Sequence, residues 1–212
     1  MTMLKIDLYS DIVCPWCIIG KHRLDKVLIE RFPGLVVDIE HHPFELLPMA
    51  PPDGVDVFAH LRAKGIADPL AAFARPESEA RSSGLALDLA KQKRGYRTVD
   101  AHTLLRVARP RGTQHALAGA LMDGYFRQQR NISDPDVLNS IAVNFGFEEG
   151  EARRLVEKPE ERAITEAQIA QSREAGISGV PMFRIGSVSI VGCQSEQQIS
   201  ASIKQALAPI NG

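Results

Sequence analysis

The sequence predicts an α/β fold in which a strand-helix-strand unit and a strand-strand-helix unit form one sheet, with a large all-helical insertion between them. Three observations predict it. An apolar alternation of period two opens the chain and passes into a helix pattern, helical periodicity fills most of the middle, and two short β-rich stretches precede a final helix. We expect the sheet-forming part to comprise residues 1–45 and 176–212. The inserted helical part should comprise residues 46–175, with its last helix packing back on the sheet.

The composition is that of a globular protein with its own apolar core, since 44% of the 212 residues are apolar and 24% are charged. Three cysteines are too few to staple a secreted mini-protein. A net charge of −1 gives the protein no overall electrostatic field that would attract nucleic acid or an anionic membrane. The sequence contains neither an apolar run long enough to span a bilayer nor a signal-peptide pattern. We therefore expect a cytoplasmic location and no nucleic-acid or membrane partner.

The N-terminal unit begins with a strand, because apolar and polar residues alternate over residues 4–9. Pro15 has the backbone angle of a first helical position, and the helix that it opens should stop at Pro33-Gly34. A second β-rich stretch covers residues 35–39. Together these segments have the length of a right-handed βαβ crossover.

The middle of the chain is predicted to be helical from about residue 55 to residue 175. Asp134-Pro135 combines a capping side chain with a proline at the first helical position, and Thr113 is predicted to cap another helix. Residues 85–98 have leucines at strand spacing but lysines that suit a helix, so we expect an extended segment or a loop there.

The C-terminal unit consists of two short predicted strands, 182–185 and 188–191, joined by Gly186-Ser187 as in a tight hairpin. Ser195 and Gln198 have the spacing of a capping box and open the final helix. The complete order, βαβ, helices, ββα, is that of a thioredoxin fold with a helical insertion.

A pair of cysteines, Cys14-Pro15-Trp16-Cys17, lies where the first predicted strand gives way to the first helix. Cysteines three apart in a helical turn have Cα atoms about 5 Å apart, a separation that a disulfide accepts. The unpaired N–H groups at the helix start favour the thiolate of Cys14, which would attack, while Cys17 would resolve the mixed disulfide. The alternatives are two packed cysteines or a zinc site, and the latter lacks a second pair of ligands.

Four strings of this sequence carry a family resemblance: residues 10–17, Pro43-Phe44-Glu45-Leu46, Asp100-Ala101-His102 and residues 178–183. In order and spacing they resemble the FrnE-like branch of the DsbA family, which is related to 2-hydroxychromene-2-carboxylate isomerases and kappa-class glutathione transferases. The resemblance implies a thioredoxin fold, disulfide exchange at the dithiol and a cis proline at Pro181. It implies no metal and no organic cofactor, with glutathione as a candidate co-substrate.

The resemblance also implies a substrate-binding surface made of Pro15, Trp16, Val180 and Pro181. With a cis bond, the backbone of Val180 would face Cys14 and pair with an extended peptide or with glutathione. Trp16 stands where DsbA itself has a histidine, and an indole adds no positive charge that would stabilise a thiolate. We therefore expect a less oxidising couple that works as a reductase or isomerase. For Trp16 the alternative is simple packing against the insertion.

Five further residues are candidates for supporting roles. Cys193 follows the last strand and could trap Cys14 or carry a glutathione adduct, although a half-buried packing role is the simpler reading. Asp100 and His102 open a predicted helix as candidate ligand contacts, with an N-terminal cap as the alternative for Asp100. Glu45 could move protons to or from Cys17, as could Asp7, and both could equally be structural carboxylates.

The sequence thus predicts a thiol:disulfide oxidoreductase acting on a disulfide-containing protein or a small thiol substrate. A homodimer is compatible with the sequence. The closest alternative is a glutathione-dependent isomerase or transferase of the related branches, in which a serine stands at the position of Cys14 and the second cysteine is absent. A non-catalytic peptide-binding protein is the second alternative.

Overall fold

The computed structural model describes residues 3–208, which form a four-stranded sheet, a two-stranded ladder and nine α-helices. The strands are β1 (Leu4–Ser10), β2 (Val37–Pro43), β3 (Val55–Asp56), β4 (Arg94–Gly95), β5 (Met182–Ile185) and β6 (Val188–Val191). The helices are α1 (Pro15–Arg31), α2 (Val57–Ala63), α3 (Pro69–Ser82), α4 (Val99–Ala108), α5 (Gln114–Phe126), α6 (Pro135–Ala142), α7 (Glu151–Val156), α8 (Pro159–Glu174) and α9 (Glu196–Leu207).

The main sheet joins the two ends of the chain in the order β2-β1-β5-β6. β1 is parallel to β2 and antiparallel to β5, so the first strand lies in the centre. Its buried residues Leu4, Ile6 and Leu8 belong to the apolar cluster that packs α1 and α9 on one face of the sheet. The predicted thioredoxin fold with an inserted helical segment is confirmed.

The second strand differs from its prediction, since it covers Val37–Pro43 instead of residues 35–39. Its C-terminal half contains Glu40, His41 and His42, which have little tendency to form strands. Pairing with β1 continues through this half, up to Ser10 opposite Pro43. The parallel ladder, a tertiary contact, therefore sets the length of this strand.

The inserted segment is mainly helical and has a core built around α4 and α5. Leu104, Leu105, Leu117 and Leu121 are buried there, and α8 packs against both α4 and β2. Residues 85–98 contain only a short 3-10 turn and β4, which pairs with β3. Within residues 3–208, no helix combines the length and the apolar character that crossing a membrane requires.

The predicted helix starts have different outcomes. The Asp134 carboxylate accepts hydrogen bonds from two backbone N–H groups at the start of α6, and Ser195 Oγ accepts one from Gln198 N at 3.2 Å. The prediction that the Thr113 side chain caps a helix was wrong. Thr113 occupies the position before α5, but its hydroxyl donates to the Phe145 carbonyl at 2.8 Å because that chain segment lies against it.

A chain of side-chain hydrogen bonds ties β2 to α5 and α1. His115 Nε2 donates to Asp25 at 2.7 Å, so its Nδ1 accepts from His41 Nε2 at 2.8 Å. This arrangement leaves His41 Nδ1 buried without a partner. Burial, followed by the neighbouring His115, holds the pKa of His41 well below its usual range.

We expect this buried imidazole to make the protein sensitive to acid. Below about pH 6.5 the unfolded chain binds a proton at His41 that the native state resists, so the free energy of unfolding should fall as pH decreases. Each proton that the unfolded chain binds and the native state does not bind changes the free energy of unfolding by about 1.4 kcal/mol per pH unit. Urea unfolding between pH 7 and pH 5 should show a shallower slope for His41→Gln than for the wild type. His22→Gln serves as an imidazole-removing control, and parallel wild-type and His41→Gln curves would contradict the expectation.

Candidate active site

The two cysteines of the Cys14-Pro15-Trp16-Cys17 sequence lie at the start of α1, where β1 ends. Cys14 is the N-cap residue, and its carbonyl accepts hydrogen bonds from Cys17 N at 3.0 Å and from Ile18 N at 3.3 Å. Pro15 occupies the first helical position, which needs no N–H donor. Cys14 and Cys17 are both free thiols. The helix start therefore holds two sulfurs within one turn.

The two thiols are buried to different depths, since Cys14 retains 3% of its exposure and Cys17 none. Burial raises the pKa of the Cys17 thiol well above its usual range, and a hydrogen bond and the charge of Cys14 add to that effect. Cys17 is therefore a protonated thiol at neutral pH. Any reaction in which it acts as a nucleophile must first remove that proton.

The Val180–Pro181 segment, which directly precedes β5, faces the dithiol. The peptide bond between these residues is cis, and the Cys14 thiol donates to the Val180 carbonyl over 3.8 Å. Gly20 allows α1 to approach this segment closely. A Cβ atom at that position would lie 3.0 Å from the Phe183 ring and 3.2 Å from Pro181. A glycine in α1 is thus what brings the helix with the two cysteines against the proline.

Trp16 lies between the cysteines and is only partly buried. The guanidinium of Arg75, on α3, lies 5.5 Å from the centre of its ring, at cation–π distance. Trp16 therefore contacts the insertion, as the packing interpretation expects, while part of its surface remains exposed beside Cys14.

Asp11 is a buried carboxylate beside the dithiol that the sequence analysis did not single out. It has no solvent exposure, and its Oδ2 accepts from Leu46 N at 2.7 Å while its Oδ1 has no hydrogen-bond partner. Its backbone hydrogen bond and its charge both act on the Cys17 thiol. The sequence feature that could have identified Asp11 is its position three residues before Cys14. A sequence does not show, however, that an acid at this position is buried.

His102 and Glu45 lie close to this region with structural partners. His102 Nε2 donates to the Phe44 carbonyl at 3.1 Å and lies 3.6 Å from Asp11 Oδ1. Glu45 is 3% exposed, accepts from Thr98 N at 3.0 Å and pairs with Arg97. These bonds hold Glu45 to the start of α4 instead of directing it at the dithiol.

Two other carboxylates point to partners away from the cysteines. Asp100 is inside α4 and forms a two-bond ion pair with Arg162, at 2.9 and 2.8 Å, so its interpretation as a helix cap was wrong. Burial raises the pKa of Asp100 despite this partner. Asp7 pairs with His42 at 2.9 Å on the sheet face opposite the one that packs α1. Its proposed proton transfer with Cys17 has no support in these contacts.

Cys193 lies just after β6 and packs against the same apolar cluster as the dithiol. Arg23 Nη1 lies 3.5 Å from its sulfur. Burial nevertheless raises the pKa of this thiol to about 11, against the opposing effect of Arg23. Cys193 is therefore protonated at neutral pH and a poor nucleophile.

Two other groupings lie outside the dithiol region. A cavity of about 490 Å³ lies between β2, α4 and α8, and His102 forms part of its wall while Cys14 does not. Asp7, Glu40 and His42 place ligand atoms within 4.8 Å of one another, but the Lys5 ammonium already binds Asp7 at 3.4 Å and Glu40 at 3.0 Å. Neither grouping adds a ligand site to the dithiol.

Comparison with known proteins gives concordant results. A probable DsbA oxidoreductase from Streptomyces coelicolor is 30% identical, with 99% of this chain and 93% of that chain covered and a TM-score of 0.85. A 2-hydroxychromene-2-carboxylate isomerase is 12% identical, with 95% of each chain covered and a TM-score of 0.71. The cytosolic disulfide reductase DsbM from Pseudomonas aeruginosa with GSH is 16% identical, with 96% and 95% covered and a TM-score of 0.63.

The last two similarities show the fold alone because their identities are low. Family membership rests on the match between residues 5–204 and the family model described as the DSBA-like thioredoxin domain. Members of this family are disulfide oxidoreductases and isomerases. This chain belongs to the DSBA-like thioredoxin domain family.

Proposed function

We propose that this chain is a thiol:disulfide oxidoreductase that works by dithiol/disulfide exchange at Cys14 and Cys17. The observation that carries the proposal is the position of the two sulfurs. Cys14 caps α1 beside the Val180 carbonyl, and Cys17 is fully buried within the same helical turn. Membership of the DSBA-like family supports the same class of chemistry.

The first step is attack by the Cys14 thiolate on one sulfur of the substrate disulfide. A bond forms between Cys14 Sγ and that sulfur, while the other substrate sulfur leaves as a thiolate. Cys14 is assigned the attack because it is the N-cap residue of α1 beside the Val180 carbonyl, whereas Cys17 is fully buried one turn further in. Pro15, Trp16, Val180 and Pro181 form the surface on which the substrate backbone is aligned.

The second step is attack by Cys17 on Cys14 Sγ. It forms the Cys14–Cys17 disulfide and releases the second substrate thiolate. Cys17 must lose a proton in this step, and the unpaired Oδ1 of buried Asp11 is the acceptor that the surroundings offer. His102 lies beside this carboxylate, with its Nε2 3.6 Å from Asp11 Oδ1, while that nitrogen is hydrogen-bonded to the Phe44 carbonyl at 3.1 Å. Glu45 and Asp100 support the neighbouring start of α4.

The direction of exchange that we propose is reduction or isomerisation in the cytoplasm. Trp16, the motif residue next to Cys17, itself contributes no positive charge that would stabilise a thiolate, and this supports a couple that is less oxidising than a strong oxidant. Glutathione is the proposed co-substrate or recycling reductant. The alternative glutathione-dependent isomerase would need only one sulfur, and a fully buried second thiol at the correct spacing favours exchange.

The reduction potential of the dithiol tests the proposal. Trp16 is the only tryptophan, so its fluorescence should report the redox state during equilibration with glutathione buffers. We expect a two-electron transition at a potential clearly more negative than the value of about −120 mV that is typical of a strong oxidant. A value near that figure would overturn the proposed direction. If the wild type showed no redox transition, or if the transition persisted when either cysteine was replaced, the assignment of an oxidoreductase would be overturned.

A further inference from the structure

Two arginines without a carboxylate partner lie over aromatic rings near the dithiol. Arg75 lies over Trp16, and Arg173 lies over the Phe44 ring at 5.4 Å. Phe44 belongs to the small apolar cluster against which Val180 packs. Both arginine side chains are exposed. Among residues 3–208, Arg173 donates only to the Glu45 carbonyl, at 2.9 Å, and neither guanidinium has a carboxylate within 4.0 Å.

The acids near the dithiol do not cancel these two charges at the rim. Glu45 is paired with Arg97 at 3.3 Å, and Glu79 is paired with Arg23 at 2.6 Å. Asp11 is fully buried beneath the cysteines and therefore does not face an incoming substrate. Arg75, over Trp16, and Arg173, over Phe44, therefore keep their positive charge available near the dithiol.

We infer that Arg75 and Arg173 determine specificity, and that the dithiol prefers small disulfides that carry carboxylates over those that carry ammonium groups. This inference rests on the proposed function. An aromatic ring beneath each guanidinium fixes its position at little entropic cost, so the charge is available for a substrate carboxylate. Opposite charges placed in this way raise the rate of encounter and lower the rate of dissociation.

The preference is measured in a single turnover of the reduced protein with a small disulfide. Cys14 bonds to one substrate sulfur and releases the first thiolate, and Cys17 then displaces the second while the Cys14–Cys17 disulfide forms. The protein loses two electrons and the substrate disulfide gains them, so no other reductant is needed. The number of released thiols measures the reaction.

The test compares dithiodipropionate with cystamine, which place a carboxylate or an ammonium at the same distance from the disulfide. The rate at which the protein reduces each compound is divided by the rate at which mercaptoethanol, a neutral thiol, reduces the same compound. This division removes the difference in intrinsic reactivity between the two disulfides. We expect the corrected ratio to favour dithiodipropionate and to fall about 2–5-fold in Arg75→Gln and in Arg173→Gln. Salt should lower the ratio because the Debye length is about 8 Å at physiological ionic strength.

The matched control is Arg81→Gln, which removes the same charge from the same helix as Arg75 but lies in its last turn. This variant should keep the wild-type ratio. A corrected ratio that favours neither compound, or that is unchanged in both rim variants, would overturn the charge preference while leaving the exchange reaction intact. Failure of the wild type to reduce either compound would instead overturn the proposed function, and the inference with it.

Discussion

Replacing Cys14 with serine should lower the rate of disulfide exchange by a factor on the order of 10³ or more, because the attacking sulfur is removed. Cys17→Ser should behave differently. Cys14 can still form the mixed disulfide, but no resolving thiol remains, so the protein should accumulate as a stable adduct that mass spectrometry detects. The measurement is turnover of a small disulfide with thiol release, together with the mass of the intact protein.

Cys193→Ser is the matched control, since it also removes one thiol from the same apolar cluster. Because burial raises the pKa of Cys193 to about 11, its loss should leave both the rate and the adduct unchanged. Isomerase activity that survives Cys17→Ser without adduct formation would instead support the glutathione-dependent isomerase. An inactive wild type that still binds extended peptides would support the non-catalytic alternative.

Asp11→Asn should slow the resolving step by about 10²-fold near neutral pH, within the range typical of positioned proton acceptors. The substitution keeps the shape of the side chain and an oxygen for the Leu46 N–H, but it removes the group that accepts the Cys17 proton. Hydroxide must then remove that proton, so the rate should recover as pH rises. Rapid-quench trapping of the mixed disulfide across a pH series measures this step separately from the first attack.

Glu45→Gln is the control for Asp11, because both are buried acids near the dithiol. Glu45 is engaged with Thr98 N and Arg97, so the substitution should lower the free energy of unfolding without shifting the pH profile of resolution. Asp11→Asn should not be destabilising in the same way, since it neutralises a buried oxygen that has no partner. If Glu45→Gln shifted the pH profile and Asp11→Asn did not, Asp11 would be the wrong residue.

The agreement between sequence and structure is best where the signal is local. Pro15, Gly186-Ser187 and Asp134-Pro135 act through backbone angles and hydrogen bonds within a few residues, and the elements that they begin or join are present. The second strand shows the limit of such reasoning. Its histidine-containing half is a strand only because β1 pairs with it, and pairing between distant segments has no local pattern.

The partners of charged residues were the least predictable part. The interpretation of Asp100 as a cap rested on its place at the start of a helix, whereas Arg162 is its actual partner in α8. The sequence could not distinguish Glu45 from Asp11 as a neighbour of Cys17. Both are acids within strings that carry the family resemblance, and only their hydrogen bonds in the folded chain distinguish them.

By itself the sequence determined the α/β order of elements, the inserted helical segment and the position of two cysteines at a helix start, because these follow from short-range periodicity and capping. The tertiary structure alone decided what surrounds those cysteines. It places Val180 beside Cys14 although the two are 166 residues apart, buries Asp11 where it acts on Cys17, and puts Arg75 over Trp16 and Arg173 over Phe44. The electrostatic surroundings of a sulfur depend on distances across the folded chain, and separation along the sequence does not contain them.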